Sequence, residues 1–318
     1  MFFLDRLDLD RRFRLLRKEI EARGISEDLR GWSFDSPPVQ PPSDSKYLGV
    51  SEIAGRYCET LRDIYLRRIC RIQPPPSVKL ARGLIFHNIC HRVLFEVKKL
   101  LFDRFSGVAG YEVAEYLLPR ADDVVSKCIN DASFIFNKIT SEEQDMLRNE
   151  ALSLYKFLVI QAAAKIDNTL SKYPHATSDS IVSIAVPPVI ERKVDGSLIG
   201  LSSELSVDIY TPYNAIADLK TGEIRAFHPL TIAGYALALE AEENIPIDYG
   251  LIIYVKVINN VPRFRVRCFV VGDELRREFL DIRDEAYAIL EVGRDPGKPS
   301  RCPSYCPYYP VCSKERLQ

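Results

Sequence analysis

An acidic and basic set of side chains lies where the sequence predicts two successive strands. Asp208 lies near the end of the first, and Asp218-Leu219-Lys220 ends the second, just before a Thr-Gly turn. Residues two apart on a strand point to the same face, so Asp218 and Lys220 project together while Leu219 points into the core. If the two strands are neighbours, Asp208 joins them. Two carboxylates and a backbone carbonyl form a hard oxygen site for Mg²⁺ or Mn²⁺, and a nearby lysine can stabilise charge on a phosphate. An exposed ion pair beside a turn would explain the same triplet.

A second set is formed by three cysteines near the C-terminus, Cys302, Cys306 and Cys312, which prolines and tyrosines separate. This composition predicts a loop, and a loop of this kind can fold three thiolates around one soft metal centre. A fourth ligand must then come from elsewhere in the chain. The alternative is a disulfide with a spare thiol, which is typical of secreted proteins.

Two histidines, His87 and His91, lie four residues apart on a predicted helix and therefore share one face. The pair alone could bind zinc, with Cys90 on the adjoining face, or could be a pair of partly buried structural histidines. Cys70, Cys90, Cys128 and Cys268 lie in apolar periodic segments and are interpreted as buried hydrophobic residues.

The elements that must position these residues change in type along the chain. Helical periodicity and proline positions predict helices first, with a proline-rich arm at residues 36–42, and alternating Val- and Ile-rich segments predict strands from about residue 181. The predicted helices cover residues 4–20, 51–73, 81–103, 110–172 (broken at Pro119), 229–241 and 273–292, and the predicted strands cover 181–194, 200–210, 215–220, 249–257 and 263–271.

Composition places the chain among ordinary globular proteins, with 318 residues, 47% of them hydrophobic and 27% charged. No apolar run is long enough for a transmembrane helix, and the N-terminal residues become charged too early for a signal peptide. We therefore expect a cytoplasmic protein without membrane contact. The net charge of -1 produces no global attraction to nucleic acid, so DNA binding would require local basic patches.

The order of these motifs resembles the RecB-like branch of the PD-(D/E)xK nucleases. It is most similar to the CRISPR-associated RecB-like exonuclease that bears an iron–sulfur cluster and acts in spacer acquisition, in its archaeal type I-A variant. The resemblance covers most of residues 47–312. It rests on motifs that follow one another as Leu29-Arg30-Gly31-Trp32, Tyr57 to Leu66, Gly83-x-x-x-His87, Gly200 to Asp208, Asp218-x-Lys220, Tyr235 and the three tail cysteines.

The resemblance implies a role for each matching residue of the nuclease motif. His87, Asp208 and Asp218 would ligate the divalent metal, Mn²⁺ or Mg²⁺, with His91 as the alternative to His87, and Lys220 would be the motif lysine. Tyr235 would match the tyrosine of the family's Gln-x-x-x-Tyr helix, which helps to hold DNA or the lysine. This chain has Thr231 where the glutamine is expected, and a hydroxyl reaches less far than an amide.

The resemblance also implies an iron–sulfur cluster, 4Fe-4S in preference to 2Fe-2S, on Cys58, Cys302, Cys306 and Cys312. Three residues separate Cys302 from Cys306, one more than is typical of the family. Cys70 is the rival to Cys58, because both lie on the helix predicted to begin at Ser51.

The implied fold is α/β, a PD-(D/E)xK core with a mixed central sheet and flanking helices. Residues 1–45 would form an N-terminal helix and arm. Residues 46–318 would form the nuclease domain, with a helical insertion at about 95–180 and a cysteine loop at 300–312 that the cluster ties to the N-terminal segment. The implied function is metal-dependent cleavage of DNA, as an exonuclease that trims single-stranded prespacer ends alongside the CRISPR integrase and other adaptation proteins.

Two other classes of function stay open at this point. One is a DNA-end-binding partner of the integrase with little or no cleavage, and the other is a redox or zinc-structural protein. Three arginines, Arg263, Arg265 and Arg267, alternate on a predicted strand and share one face, which can track DNA phosphates or simply be solvated.

Overall fold

The computed structural model describes residues 6–43, 47–103, 108–186, 189–211 and 214–314. The predicted domain boundary at residue 46 and part of the predicted insertion, residues 104–107, lie outside the described residues. The described helices are α1 (Arg6–Arg23), α2 (Val50–Ala54), α3 (Arg62–Arg68), α4 (Val78–Asp103), α5 (Gly110–Leu117), α6 (Ala121–Asp131), α7 (Ser133–Phe136), α8 (Ser141–Lys172), α9 (Ser178–Ala185), α10 (His228–Glu243), α11 (Asp273–Val292) and α12 (Tyr309–Cys312).

One mixed sheet forms the centre of the described part of the chain. Its strands follow one another across the sheet in chain order, and each neighbouring pair is antiparallel except β3 and β4. Helix α10 makes the crossover that a parallel pair requires. The predicted α/β class, with a mixed sheet and flanking helices, is therefore confirmed. The strands are β1 (Val189–Val194), β2 (Leu205–Thr211), β3 (Ala215–Lys220), β4 (Tyr249–Ile258) and β5 (Val261–Val270).

Apolar layers cover both faces of the sheet, which explains why β3 is almost continuously hydrophobic. Ala217 and Leu219 pack on one side with residues of α4 and α8. Ile216 packs on the other side with residues of α10 and α11. The alternation along β3 thus directs Asp218 and Lys220 toward the α10 side. The predicted hairpin between β4 and β5 is confirmed, since Asn259 and Asn260 both adopt the positive φ that a tight two-residue turn requires.

Two sequence-based assignments were wrong. The predicted strand from Ile181 begins as helix α9, capped by the Thr177 hydroxyl, and its β-branched residues are buried because they share one helix face. The helix predicted from Ser51 to residue 73 is two short helices, α2 and α3. Positive φ angles at Arg56 and Leu61 interrupt it, so Cys58 lies in a loop, and Gly49 is the N-cap in place of Ser51.

The proline-rich arm crosses the surface, and one buried residue anchors it to the core. Val39 is fully buried. The Arg283 guanidinium of α11 donates hydrogen bonds to the carbonyl oxygens of Pro38, Val39 and Gln40 at 2.7–3.0 Å. Because these donors satisfy carbonyl groups that would otherwise be buried without a partner, the arm is fixed against α11.

A buried ion-pair network attaches the preceding segment in the same way. Glu240 on α10 accepts hydrogen bonds from the guanidinium groups of Arg276 and Arg30 and from the Gly31 backbone N–H. Arg276 also donates to the carbonyl oxygen of Leu29. Gly31 approaches α10 so closely that a Cβ atom there would lie 1.9 Å from the Leu237 carbonyl oxygen. The chain near residue 30 is therefore seated directly on α10.

The described helices include none that combines the length and the apolar character needed to span a membrane.

Candidate active site and cysteine site

His87 lies on α4 and faces the end of β3. Its Nε2 atom is 2.9 Å from the carbonyl oxygen of Leu219, and its Nδ1 atom is 3.5 Å from Oδ2 of Asp208. In the neutral ring, which is the form that binds a metal, the Nε2–H donates to this carbonyl and Nδ1 carries its lone pair on the side of the carboxylate. The structure therefore brings two of the predicted metal ligands together and orients the imidazole with a backbone group.

Asp208 is held where β2 and β3 separate. Their paired register ends at Ile209 opposite Ala217, and the Leu219 N–H donates to the Asp208 carboxylate at 2.8 Å. This side chain thus replaces a missing backbone partner, which fixes the carboxylate beside His87. The neighbouring-strand arrangement that the sequence predicted for Asp208 and Asp218 is present.

Asp218 is paired with Lys220. Its Oδ2 atom lies 2.8 Å from Lys220 Nζ, while it receives no well-oriented hydrogen bond. Lys220 Nζ is 3.5 Å from the Thr231 hydroxyl, at the outer limit of hydrogen bonding. The threonine that replaces the expected glutamine therefore reaches the lysine only weakly, and the position of the ammonium group depends mainly on Asp218.

Burial and charge shift the pKa values in this site in opposite directions. Burial acts to lower the pKa of His87, but the Asp208 and Asp218 carboxylates outweigh it and raise that pKa. For Asp208, burial acts to raise the pKa, and His87 brings it below its ordinary value. Burial raises the pKa of Asp218, and Asp218 raises the pKa of Lys220 against the effect of burial. The lysine consequently stays an ammonium ion at neutral pH.

Tyr235 lies on α10, one helical turn beyond Thr231. Burial raises the pKa of its phenol, and the Asp218 and Asp208 carboxylates raise it further. The phenol is thus a neutral hydroxyl near the two carboxylates, able to donate or accept a hydrogen bond.

The ligand atoms of His87, His91 and Asp208 all lie within 4.8 Å of one another. No other such group of histidine, cysteine or carboxylate ligands occurs within the described ranges. Two imidazoles and a carboxylate suit a divalent transition metal. Asp218, the third predicted ligand, is not a member of this group, and its buried Oδ2 atom is paired with Lys220 instead.

The sequence predicted that either His87 or His91 binds the divalent metal, whereas the structure places both in one group of possible ligands. Their four-residue spacing was the signal for this. Glu191 on β1 was missed altogether, although its Oε1 atom is 2.5 Å from His91 Nδ1. Its position could not be read from the sequence because it depends on an unusual backbone conformation, φ +51°.

The predicted cluster residues meet at one cavity. Cys58 comes from the loop between α2 and α3, and the other three come from the tail. Cys70 does not line the cavity, and the prediction that it is buried was wrong, because it is exposed in the chain segment after α3. Cys90 and Cys128 are buried as predicted, whereas Cys268 is only partly buried. The lining residues are Tyr57, Cys58, Arg62, Asp63, Pro299, Cys302, Pro303, Cys306, Tyr308, Tyr309 and Cys312.

Among the described residues, no three of the cysteine sulfurs lie within 4.8 Å of one another. A single tetrahedral zinc would need sulfurs about 3.8 Å apart, given Zn–S bonds of about 2.3 Å. Burial raises the pKa of the Cys306 thiol to about 11, so a thiolate there requires a bound metal. Arg62 supplies a charged donor, 3.3 Å from the Cys312 sulfur.

Aromatic contacts connect the cysteine site with the turn that follows Lys220. Phe227 makes an edge contact with Tyr57, with ring centroids 6.0 Å apart, and lies 6.4 Å from the ring of Tyr305. The Arg225 guanidinium lies over the Tyr305 ring at 4.1 Å. The two sites therefore share packing contacts, and loss of order in the tail should change the packing of the turn after Lys220.

The three predicted DNA-contacting arginines, Arg263, Arg265 and Arg267, are exposed on β5, an edge strand. Residues paired across neighbouring strands share a face. The strand register therefore puts these arginines on the same face of the sheet as Asp218 and Lys220. Residues aligned across β3, β4 and β5 are Asp218, Ile252 and Arg267, then Lys220, Tyr254 and Arg265, and Lys256 on β4 is aligned with Arg263 on β5.

Comparison with known proteins assigns the chain to a class. A family model described as CRISPR-associated exonuclease Csa1 matches residues 1–315. The chain therefore belongs to a family of CRISPR-associated exonucleases, and the predicted kinship with such enzymes is confirmed.

The particular family, Csa1, is also supported by individual relatives. A CRISPR-associated exonuclease Csa1 of Saccharolobus solfataricus is 34% identical over 315 residues, which cover 98% of this chain and 99% of the relative. A protein of the same description from Thermoproteus tenax is 30% identical over 304 residues, which cover 94% and 96%.

Proposed function

We propose that this protein is a metal-dependent DNA exonuclease that trims single-stranded prespacer ends during CRISPR adaptation, acting with the integrase. Membership in the exonuclease family supports the enzymatic class. The observation that most supports metal dependence is the placement of His87, Asp208 and the Asp218–Lys220 pair at the end of β3.

The ion would be held by His87, Asp208 and Asp218, with Mn²⁺ or Mg²⁺ as candidates. A bound divalent ion would lower the pKa of its water and neutralise charge on the phosphate. The water oxygen would form a bond to phosphorus as the bond to the leaving oxygen breaks, and the proton that the water loses would be balanced by the proton that the leaving oxygen takes up. Lys220, kept as an ammonium by Asp218, would stabilise the negative charge that develops on the phosphate. Tyr235 would position the DNA or the lysine.

We propose that Cys58, Cys302, Cys306 and Cys312 hold an iron–sulfur cluster, 4Fe-4S in preference to 2Fe-2S. Support comes from the shared cavity and from sulfurs too widely spaced for one zinc ion. A charged donor such as Arg62 beside a ligand sulfur is a normal feature of such centres, because hydrogen bonds to sulfur tune the cluster.

An alternative function is a DNA-end-binding subunit that partners the integrase with little cleavage. The observation in its favour is the weak contact between Thr231 and Lys220, which leaves the lysine held mainly by Asp218.

Cleavage of end-labelled single-stranded DNA separates these functions. With Mn²⁺, the wild-type protein should shorten linear strands progressively and leave circular strands intact, since an exonuclease needs an end. His87→Ala should lower the rate at least about 100-fold, whereas the exposed His175→Ala should have no effect. Binding of linear strands without shortening would favour the alternative, and cleavage of circles would contradict an exonuclease.

Reversing the three arginines of β5 should weaken DNA binding. With Arg263, Arg265 and Arg267 all changed to glutamate, the salt dependence of single-stranded DNA affinity should flatten by a slope of about 2, from three lost phosphate contacts. Folding should be unaffected, because exposed charges contribute little to stability. Reversal of three exposed charges on the insertion, Lys127, Lys138 and Arg148, is the control. An unchanged slope would show that the face is only solvated.

A further inference from the structure

The divalent-metal site has a neighbour that the nuclease motif does not explain, the contact between His91 and Glu191. His91 lies one turn after His87 on α4, and its Nδ1 atom is 2.5 Å from Glu191 Oε1. A carboxylate that accepts the Nδ1–H of a histidine fixes the ring and leaves the Nε2 lone pair free. This is how metal-ligating histidines are usually oriented.

The backbone at Glu191 is unusual for a strand residue. Its φ of +51° lies in the left-handed region, which is an outlier for a residue with a long side chain. The flanking residues of β1 pair regularly with β2, Ile190 with Ile209 and Arg192 with Val207. Glu191 therefore lies opposite Asp208, but these two residues do not form a strand pair. Such conformations are costly and persist where the surroundings impose them, often at functional sites.

This backbone conformation brings Glu191 beside a group of possible metal ligands. Ligand atoms of His91, His87 and Asp208 lie within 4.8 Å of one another, and Glu191 reaches His91 although its own side chain is 56% exposed. An ordinary surface glutamate gains little from one histidine contact. If Glu191 orients His91 as a metal ligand, this role explains both their contact and the unusual backbone conformation of Glu191.

We propose that His91 is a further ligand of the divalent metal and that Glu191 is its positioning residue, so that the site prefers a transition-metal ion to Mg²⁺. This inference rests on the proposed nuclease site. A second imidazole adds a nitrogen donor, and Mg²⁺ prefers an all-oxygen shell with several waters, whereas transition-metal ions accept imidazole readily. His91 and Glu191, which lie outside the nuclease motif, would then determine which ion binds more tightly.

Metal binding to the full-length protein tests this without reference to cleavage. Calorimetric titration should show that His91→Ala lowers Mn²⁺ affinity about 10- to 100-fold and that Glu191→Gln lowers it about 10-fold. Mg²⁺ affinity should change less than about threefold in both. His175→Ala and Glu115→Gln, which alter exposed residues far from the site in sequence, are the matched controls. Circular dichroism of each variant confirms folding.

Pulsed electron paramagnetic resonance of bound Mn²⁺ supplies the second measurement. With ¹⁵N-labelled histidine, the wild-type spectrum should show two coordinated imidazole nitrogens, and His91→Ala should show one. A single imidazole in the wild type, or unchanged Mn²⁺ affinity in His91→Ala, overturns this inference and leaves the nuclease proposal standing. Failure of the wild type to bind Mn²⁺ or Mg²⁺ would overturn both.

Discussion

Replacement of Lys220 by alanine is expected to lower the rate of DNA cleavage about 100-fold or more and to leave Mn²⁺ affinity unchanged. The ammonium group lies 2.8 Å from Asp218 and is not itself a metal ligand. Its removal takes away a positive charge beside the scissile phosphate, which is the loss of one electrostatic stabiliser of the transition state. Single-turnover cleavage and calorimetric Mn²⁺ titration measure the two quantities separately.

Asp218→Ala is the partner experiment, because it should abolish cleavage by a different route. The substitution removes a proposed metal ligand, so Mn²⁺ affinity should fall together with the rate. For Lys220→Ala, the control for loss of one positive charge is Lys127→Ala, an exposed lysine on α6. Equal Mn²⁺ affinity in the wild type and Asp218→Ala would contradict the proposed ligand set.

Replacement of Cys58 by serine should remove the visible absorbance of an iron–sulfur centre and lower the free energy of unfolding by about 4 kcal/mol or more. Loss of a structural metal is among the few mechanisms with effects of this size, because metal binding is part of folding. The tail from residue 302 has one short helix, so without the cluster it should become sensitive to protease. Absorption spectra, chemical denaturation and limited proteolysis give the three readings.

Cys70→Ser is the matched control for this experiment. Cys70 is exposed and does not line the cavity, so colour and stability should match the wild type. Loss of colour in Cys70→Ser with retention in Cys58→Ser would reverse the ligand assignment. Cys58→Ser should also slow cleavage, since Phe227 joins the tail to the turn after Lys220.

The nuclease motif was predictable because its geometry is local. Alternation along a strand determines that Asp218 and Lys220 share a face, and the turn signals on either side place them at a strand end. The β4–β5 hairpin was equally predictable from Asn259-Asn260. The same local periodicity also aligned the three arginines, and only the strand register could show that they share the face of the motif.

The parts that were not predictable depend on distant partners or on the backbone itself. The β-branched residues after Ile181 predicted a strand, but this segment is helical because its apolar face, with Ile181 and Ala185, packs into the core. The break between α2 and α3 depends on left-handed residues that are not glycine, so composition gave no sign of it. The position of Glu191 depends on a left-handed residue in the same way, and the anchoring of the proline-rich arm depends on an arginine 244 residues later in the chain.

The seating of the proline-rich arm and of the chain near residue 30 has a consequence for the time course of biosynthesis. Arg276 and Arg283 lie on α11, and the Leu29 carbonyl that Arg276 bonds is 247 residues earlier. At synthesis rates of roughly 5–20 residues per second, the beginning of the chain waits about 12–50 s for these donors. For most of that interval neither Glu240 nor Arg276 has been synthesised, so the Gly31 segment has no completed layer to pack against. The segment near residue 30 therefore completes its packing only after α11 has been synthesised.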